Sequence, residues 1–133
     1  MNTIYAREDY LGADEYIDVV RKSGLNRPVE DRGRVERMLA HANLILTARQ
    51  DGKLVGFARS LTDFCFCCYL SDLAVDKACQ GQGIGKRLIE ETRTAAGGAL
   101  TTTLLLSAPT AMTYYQGIKM PQADNCFLYR RQR

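Results

Sequence analysis

A glycine-rich segment is the part of the sequence whose residue types and spacing point most directly to chemistry. It reads Gln80-Gly81-Gln82-Gly83-Ile84-Gly85-Lys86 and lies between a predicted strand and a predicted helix. Glycines let a backbone approach an anion closely, and the first N–H groups of a helix are unpaired at the positive end of its dipole. The segment therefore predicts a binding site for phosphate groups.

Two other glycine motifs do not fit this spacing. A P-loop, G-x-x-x-x-G-K-[ST], would need a glycine at Gln80 and a hydroxyl residue at Arg87. A dinucleotide fingerprint, G-x-G-x-x-G, would need a glycine at Lys86 or at Leu88. Both motifs are excluded.

The pattern that fits is [QR]-x-x-G-x-[GA], with Gln80, Gly83 and Gly85 at its fixed positions. With Leu73-Ala74-Val75 ahead of it, this segment resembles the signature of the GNAT superfamily of N-acetyltransferases. The similar stretch runs from about residue 69 to residue 120.

A second similarity lies downstream. The family often carries A-x-x-F-Y-x-x-x-G-F, and this chain has Ala111 and Tyr115 at the matching positions. Lys119 and Met120 replace the Gly-Phe pair, and Ala108 stands where the family often has asparagine. These differences concern the acceptor side of the site and leave the cofactor loop unchanged.

The elements around these motifs follow from hydrophobic periodicity and turn residues, with Asp51-Gly52 as a hairpin signal. We predict strands at 3–7, 44–49, 54–61, 64–75, 103–107 and 125–130, the fifth of them buried, and helices at 13–23, 30–41, 84–96 and 109–116. This order predicts one domain over residues 1–133 of the mixed α/β (α+β) class. The resemblance implies the GNAT fold: a central, mostly antiparallel mixed sheet with a splayed parallel strand pair, flanked by helices.

The resemblance also implies acetyl-CoA (coenzyme A) as co-substrate, with no metal. Main-chain groups of the loop would bind its pyrophosphate, and the free edge of the preceding strand would pair with its pantetheine arm. A backbone N–H near Leu73 would stabilise charge on the thioester oxygen. The implied cofactor-binding residues are Leu73, Ala74, Val75, Gln80, Gly81, Gln82, Gly83, Ile84, Gly85 and Lys86.

In the implied reaction (EC 2.3.1.-) a primary amine attacks the thioester directly, so no nucleophilic residue is required. Tyr115 is the candidate general acid for the leaving thiolate, because it matches the family position. The base stays open: it is Asp72, if a bulge re-aims that side chain, or a water held by Ser71 or a backbone carbonyl. Regular strand alternation would place Ser71 with residues 69 and 73 on one face, and Asp72 with residues 70 and 74 on the other.

The acceptor side should be formed by residues 25–34 and by the Asp63-Phe64 turn. Glu30, Asp31 and Asp63 would attract a cationic amine, but the same residues suit helix caps and turns, and we favour that interpretation. The acceptor stays open among small-molecule and peptide amines, including lysine, polyamines and aminoglycosides. A non-catalytic acyl-CoA-binding regulatory module is the alternative function. A protein-interaction subunit is a third hypothesis without positive support.

Composition limits the other possibilities. A net charge of +3 on 133 residues gives no strongly basic face for nucleic acid. No apolar run is long enough to span a membrane and the N-terminus does not resemble a signal peptide, so we expect a cytoplasmic protein. The five cysteines, three of them at positions 65, 67 and 68, indicate reduced hydrophobes in a strand rather than a metal site or a disulfide framework. The resemblance makes a homodimer plausible.

Overall fold

The computed structural model describes residues 2–133, which form a five-stranded sheet with helices on both faces. The strands are β1 (Ile4–Arg7), β2 (Leu44–Gln50), β3 (Lys53–Thr62), β4 (Cys67–Val75) and β5 (Thr102–Leu104). The helices are α1 (Ala13–Ser23), α2 (Arg32–His41), α3 (Ile84–Ala95) and α4 (Met112–Gly117), with 3-10 turns at Lys77–Cys79, Gly98–Leu100 and Pro109–Ala111. No helix in this range is long and apolar enough to cross a membrane.

The sheet has the order β1-β2-β3-β4-β5, and only the β4–β5 pair is parallel. The predicted mixed sheet with one parallel pair is therefore confirmed. The predicted hairpin is also confirmed, because Asp51 and Gly52 join β2 to β3 with φ of 51° and 78°. The central strands are buried on both faces, which explains why β2 and β3 read as nearly continuous apolar runs.

Two apolar clusters lie on opposite faces of the sheet. Helices α1 and α2 cover one face, where Tyr16 packs against Phe57 with ring centroids 4.9 Å apart. Helix α3 covers the other face, where Leu88 packs with strand residues such as Leu70. The amphipathic helices predicted from periodicity supply both layers.

Local capping sets where the helices begin and end. Gly24 ends α1 in the left-handed conformation, with φ of 81°, as predicted. Helix α2 begins at Arg32 and not at residue 30, because the Asp31 carboxylate accepts the Arg34 N–H at 3.0 Å as an N-cap.

The strand predicted from residue 64 begins at Cys67 instead. The Asp63 carboxylate accepts the N–H groups of Cys65, Phe66 and Cys67 at 2.8–3.0 Å, and this holds a tight turn. Phe64 lies in that turn with φ of 62°. Cys65, in the turn, and Cys67, at the first position of β4, are exposed, and Cys68 is the buried member of the cluster.

The alternation predicted for β4 is wrong because the strand contains a bulge. Leu70 pairs with Ser60 and Asp72 pairs with Arg59, so that Ser71 is an extra residue on β4. Leu70 packs on the α3 face, whereas Asp72 faces Tyr16 of α1. The bulge therefore reverses the direction of every later side chain relative to regular alternation.

The strands in the C-terminal part of the chain differ from the prediction. Strand β5 comprises only Thr102–Leu104, and it is a half-exposed edge rather than a buried strand, because it pairs on one side alone. The predicted strand at 125–130 does not form, since residues 121–133 find no pairing partner in the sheet and are exposed throughout. Phe127 and Tyr129 are almost fully solvated, at 98% and 105% exposure.

The bulge delivers Asp72 into a buried network that joins three elements. Its carboxylate accepts from Tyr16 Oη of α1 at 2.8 Å, from Arg27 Nε of the α1–α2 loop at 2.6 Å and from Arg59 Nε of β3 at 2.6 Å. Ser71 Oγ adds a 3.3 Å contact. The side chain of Asp72 has no exposed surface, so these donors replace its hydration completely.

The network keeps Asp72 charged. Burial by itself would raise its pKa, but the hydrogen bond and charge of Arg59, followed by those of Arg27, outweigh burial and lower the pKa of the carboxyl. Burial next to this carboxylate raises the pKa of Tyr16 well above its usual range. At neutral pH the Tyr16 hydroxyl therefore stays protonated and donates, and the Asp72 carboxylate stays ionised and accepts.

We predict that Asp72→Asn lowers the free energy of unfolding by about 3 kcal/mol, because two guanidinium groups would lose their shared carboxylate. Urea denaturation measures this change. Asp18→Asn is the control, since the Asp18–Lys22 pair at 3.0 Å is solvent-exposed, and we expect little change there. Equal losses in the two variants would contradict the role of the network.

The lowered pKa of Asp72 makes the free energy of unfolding depend on pH. The stabilisation by Asp72 is present above the pKa of an unfolded aspartate, about 3.9, and disappears as pH falls through the lower folded value. The urea midpoint of the native protein should therefore fall below about pH 4 more steeply than that of Asp72→Asn.

Candidate active site

The segment between β4 and α3 forms a tight loop. The Asp76 carboxylate caps the 3-10 turn through the Ala78 N–H at 2.9 Å, and Gln80 Nε2 donates to the Val75 carbonyl at 3.1 Å. Gly81 and Gly83 then adopt left-handed backbone conformations with φ of 85° and 79°. A Cβ atom on either glycine would meet nothing within 4 Å, so backbone conformation and not space requires glycine.

This loop leaves a run of backbone donors free. Within residues 2–133, none of the N–H groups from Gly81 to Lys86 has a backbone carbonyl as acceptor, and pairing resumes when Arg87 N–H donates to Gly83 O at 3.1 Å. Successive N–H groups around left-handed residues form a concave anion site, and here the positive end of the α3 dipole adds to it. The arrangement fits a diphosphate.

The loop side chains are held by a residue that the sequence reasoning missed. Gln50, at the end of β2, is 8% exposed and donates through Nε2 to Gln82 Oε1 and to Thr3 Oγ1, both at 3.0 Å. Cys79 Sγ contacts Gln50 Oε1 at 3.7 Å. A buried polar residue just before the hairpin was the available sequence signal, but nothing local linked it to a loop some thirty positions later.

The two cations at the start of α3 differ in their surroundings. Arg87 forms an ion pair with Glu91 at 2.7 Å and stacks over the Tyr5 ring, with its guanidinium carbon 4.6 Å from the centroid. Lys86 is exposed and forms no ion pair with any described residue. Lys86 is therefore the cation available beside the loop.

At Gly85 a steric contact, and not the backbone conformation, requires glycine. It is buried in the first turn of α3, and a Cβ there would overlap the Tyr114 hydroxyl of α4. The family pattern accepts alanine at this position, but the hydroxyl of Tyr114 occupies that space. Gly85 thus lets α4 pack against the start of α3, while Ile84 beside it is a core residue at 2% exposure.

The strand edge next to the loop is open. β4 and β5 pair only as far as Tyr69 and Leu104, so that the later residues of β4 have no paired strand on that side. The Asp76 N–H donates to Val55 O of β3 at 2.8 Å, and by alternation Leu73 and Val75 direct their backbone groups away from β3. The Val75 carbonyl accepts the hydrogen bond from Gln80 Nε2, which leaves the N–H and C=O of Leu73 and the N–H of Val75 without a partner among the described residues.

The remaining predicted residues fall into two groups. Ala74 is a buried core residue at 2% exposure, and Ser71 and Asp72 belong to the buried network. Tyr115 lies on α4, partly buried, with its ring in an edge-to-face contact 5.2 Å from that of Tyr114. Burial and the nearby Tyr114 raise the pKa of Tyr115 against the opposing charge of Arg27, so its hydroxyl is protonated at neutral pH.

Comparison with known proteins identifies the family. The model of the acetyltransferase (GNAT) domain matches residues 22–118, which is most of the chain. The chain belongs to the GNAT acetyltransferase family. The family implies acetyl-CoA as co-substrate, and the open loop and strand edge of this acetyltransferase fit such a molecule.

Solved structures agree on the fold. A GNAT-family acetyltransferase from Streptococcus pneumoniae superposes with a TM-score of 0.78 at 17% identity, covering 99% of this chain and all of that one. An aminoglycoside acetyltransferase from an uncultured soil sample, in complex with sisomicin, gives 0.70 at 20% identity over 98% and 97% of the two chains. At such identities the likeness shows the fold alone.

A sequence relative is the chloroplastic GCN5-related N-acetyltransferase 2 of Arabidopsis thaliana. It is 44% identical over 43 residues, which are 32% of this chain and 17% of the relative. The match therefore spans under a fifth of that protein.

We predict that Gly83→Ala weakens coenzyme A binding roughly tenfold or more, because an alanine relaxes away from the conformation that aims the free N–H groups. Gly98→Ala is a matched control, since Gly98 has φ of 60° and equally open surroundings beyond the opposite end of α3. Both variants should lose about 1 kcal/mol of stability. Calorimetric titration with coenzyme A distinguishes them, and equal affinities would contradict the loop assignment.

Proposed function

We propose that this protein transfers the acetyl group of acetyl-CoA to a primary amine on a small molecule or peptide. The observation that carries the proposal is the run of unpaired N–H groups from Gly81 to Lys86 next to the open edge of β4. The first feature suits a diphosphate, and the second suits the amide-bearing pantetheine arm.

In this proposal the backbone of Leu73 and Val75 pairs with the arm and brings the thioester to the Ser71 bulge. The Leu73 N–H faces the thioester oxygen and stabilises its developing negative charge. The amine nitrogen forms a bond to the carbonyl carbon, the carbon–sulfur bond breaks, and the electron pair leaves with sulfur. Tyr115 gives its proton to the thiolate, and solvent restores the proton to the phenolate.

The same proposal assigns Asp72 a positioning role instead of that of a base. A carboxylate with no exposed surface, three strong donors and a lowered pKa neither reaches an acceptor nor takes its proton. The Ser71 hydroxyl is likewise committed, since it accepts from Arg59 Nη2 at 3.1 Å. We therefore assign proton removal from the amine to a water molecule beside the open edge of β4.

We predict that Tyr115→Phe lowers kcat by about a hundredfold, because general acid catalysis contributes that order of rate, while coenzyme A affinity stays unchanged. Thiol release at saturating acetyl-CoA measures kcat. Tyr10→Phe is the control, since Tyr10 is 82% exposed ahead of α1. Unchanged turnover in Tyr115→Phe would leave the tyrosine with a packing role only.

The direct test of the function combines coenzyme A titration with thiol release over a panel of amines. The proposal expects binding together with acceptor-dependent release and a product that is heavier by one acetyl group. Binding without release by any amine would instead support the non-catalytic acyl-CoA-binding module. Coenzyme A that does not bind, or that binds independently of the loop, would reject both functions.

A further inference from the structure

Arg27 occupies the point where β4 and β5 separate. Its Nη2 donates to the carbonyl of the bulged Ser71 at 2.7 Å, and its Nε donates to Asp72 at 2.6 Å. Ser71 lies two residues beyond Tyr69, where the β4–β5 pairing ends. The guanidinium is thus held against the stretch of β4 beside which the acetyl group would lie in the proposed function.

The network around Arg27 has an excess of positive charge. Asp72 is one carboxylate shared by two guanidinium groups, and it is the sole ion-pair partner of either arginine among the described residues. Arg59 is 8% exposed, and its three nitrogens all donate within the protein. Arg27 also donates through all three nitrogens, with Nη1 bonded to the Asn26 carbonyl at 2.6 Å, but two of its five N–H bonds have no acceptor among the described residues. Its side chain is 24% exposed, so the uncompensated charge of the network reaches solvent through Arg27.

The acidic residues on the acceptor side do not balance this charge. The Asp31 carboxylate caps α2, and the Asp63 carboxylate accepts three backbone N–H groups of its turn, as the favoured capping interpretation predicted. Glu30 is exposed and forms no ion pair within residues 2–133. None of these three carboxylates pairs with Arg27, so they leave its charge uncompensated.

We propose that the acceptor carries a carboxylate close to its reacting amine and that Arg27 binds this carboxylate. The inference rests on the proposed function and specifies its substrate class. Guanidinium groups suit carboxylates because their planar N–H pairs match two carboxylate oxygens. A polycation, such as the sisomicin bound by the structural relative from soil, would bring like charge to an uncompensated cation and is disfavoured.

The first test compares matched acceptors on the native protein. Each pair has the same primary amine with and without the carboxylate, such as 4-aminobutyrate against butylamine and lysine against its decarboxylated diamine, with spermidine as the polycation. We expect kcat/KM to favour the carboxylated member by roughly tenfold to a hundredfold, the range of a charge-assisted hydrogen bond. Equal values, or a preference for spermidine, would overturn the inference while leaving acetyl transfer intact.

The second test uses variants in the same assay. Arg27→Gln should abolish the preference mainly through KM, whereas Arg27→Lys should retain most of it because the charge remains. Arg21→Gln, an exposed arginine on α1, is the control with unchanged preference. A preference that survives in Arg27→Gln would overturn the assignment.

Two readouts separate the failure modes. Coenzyme A titration and thermal unfolding of each variant report folding, and the native protein's preference decides the case if Arg27→Gln does not fold. Thiol release that no amine in the panel stimulates, despite coenzyme A binding, would reject the proposed function and this inference together.

Discussion

The buried carboxylate of Asp72 is the interaction on which the acceptor half of the molecule depends. It is fully enclosed, and its partners come from α1, from the α1–α2 loop and from β3. An ion in such a place is tolerated only when donors replace its water, so the three elements have little freedom to move apart. The β4 bulge that aims Asp72 into this network lies two residues beyond the last β4–β5 pair.

The two halves of the site are stabilised in opposite ways. On the proposed acceptor side the polar side chains of Ser71, Asp72 and Arg59 are bonded within the protein, and Arg27 is the partly exposed member of the network. On the cofactor side the loop is held by side chains, Gln80 on β4 and Gln82 on Gln50, while its main-chain donors stay unpaired. Side chains thus fix the loop, and the backbone is left for the ligand.

This division explains why the same fold occurs in proteins whose sequences are only 17% and 20% identical to this one. Backbone N–H donors at a helix start and along a strand edge require a particular backbone conformation, and many different sequences can adopt that conformation. In our proposal, acceptor recognition rests on side chains such as Arg27, which can differ while the sheet stays the same. Membership of the family implies the cofactor, while the acceptor depends on this chain's own side chains.

The sequence alone determined the features that depend on neighbours along the chain. Hydrophobic periodicity predicted the succession of strands and helices along the chain as far as α4, and the glycine spacing predicted the loop, because turn conformations and helix starts are local. Only the tertiary structure decided the bulge at Ser71, the absence of a strand at 125–130 and the shared carboxylate of Asp72. Asp72 meets Arg59, Arg27 and Tyr16 across 13, 45 and 56 residues of chain. Whether a charge is buried and paired, or a strand finds an edge, depends on such distant partners, and no local pattern in the sequence encodes them.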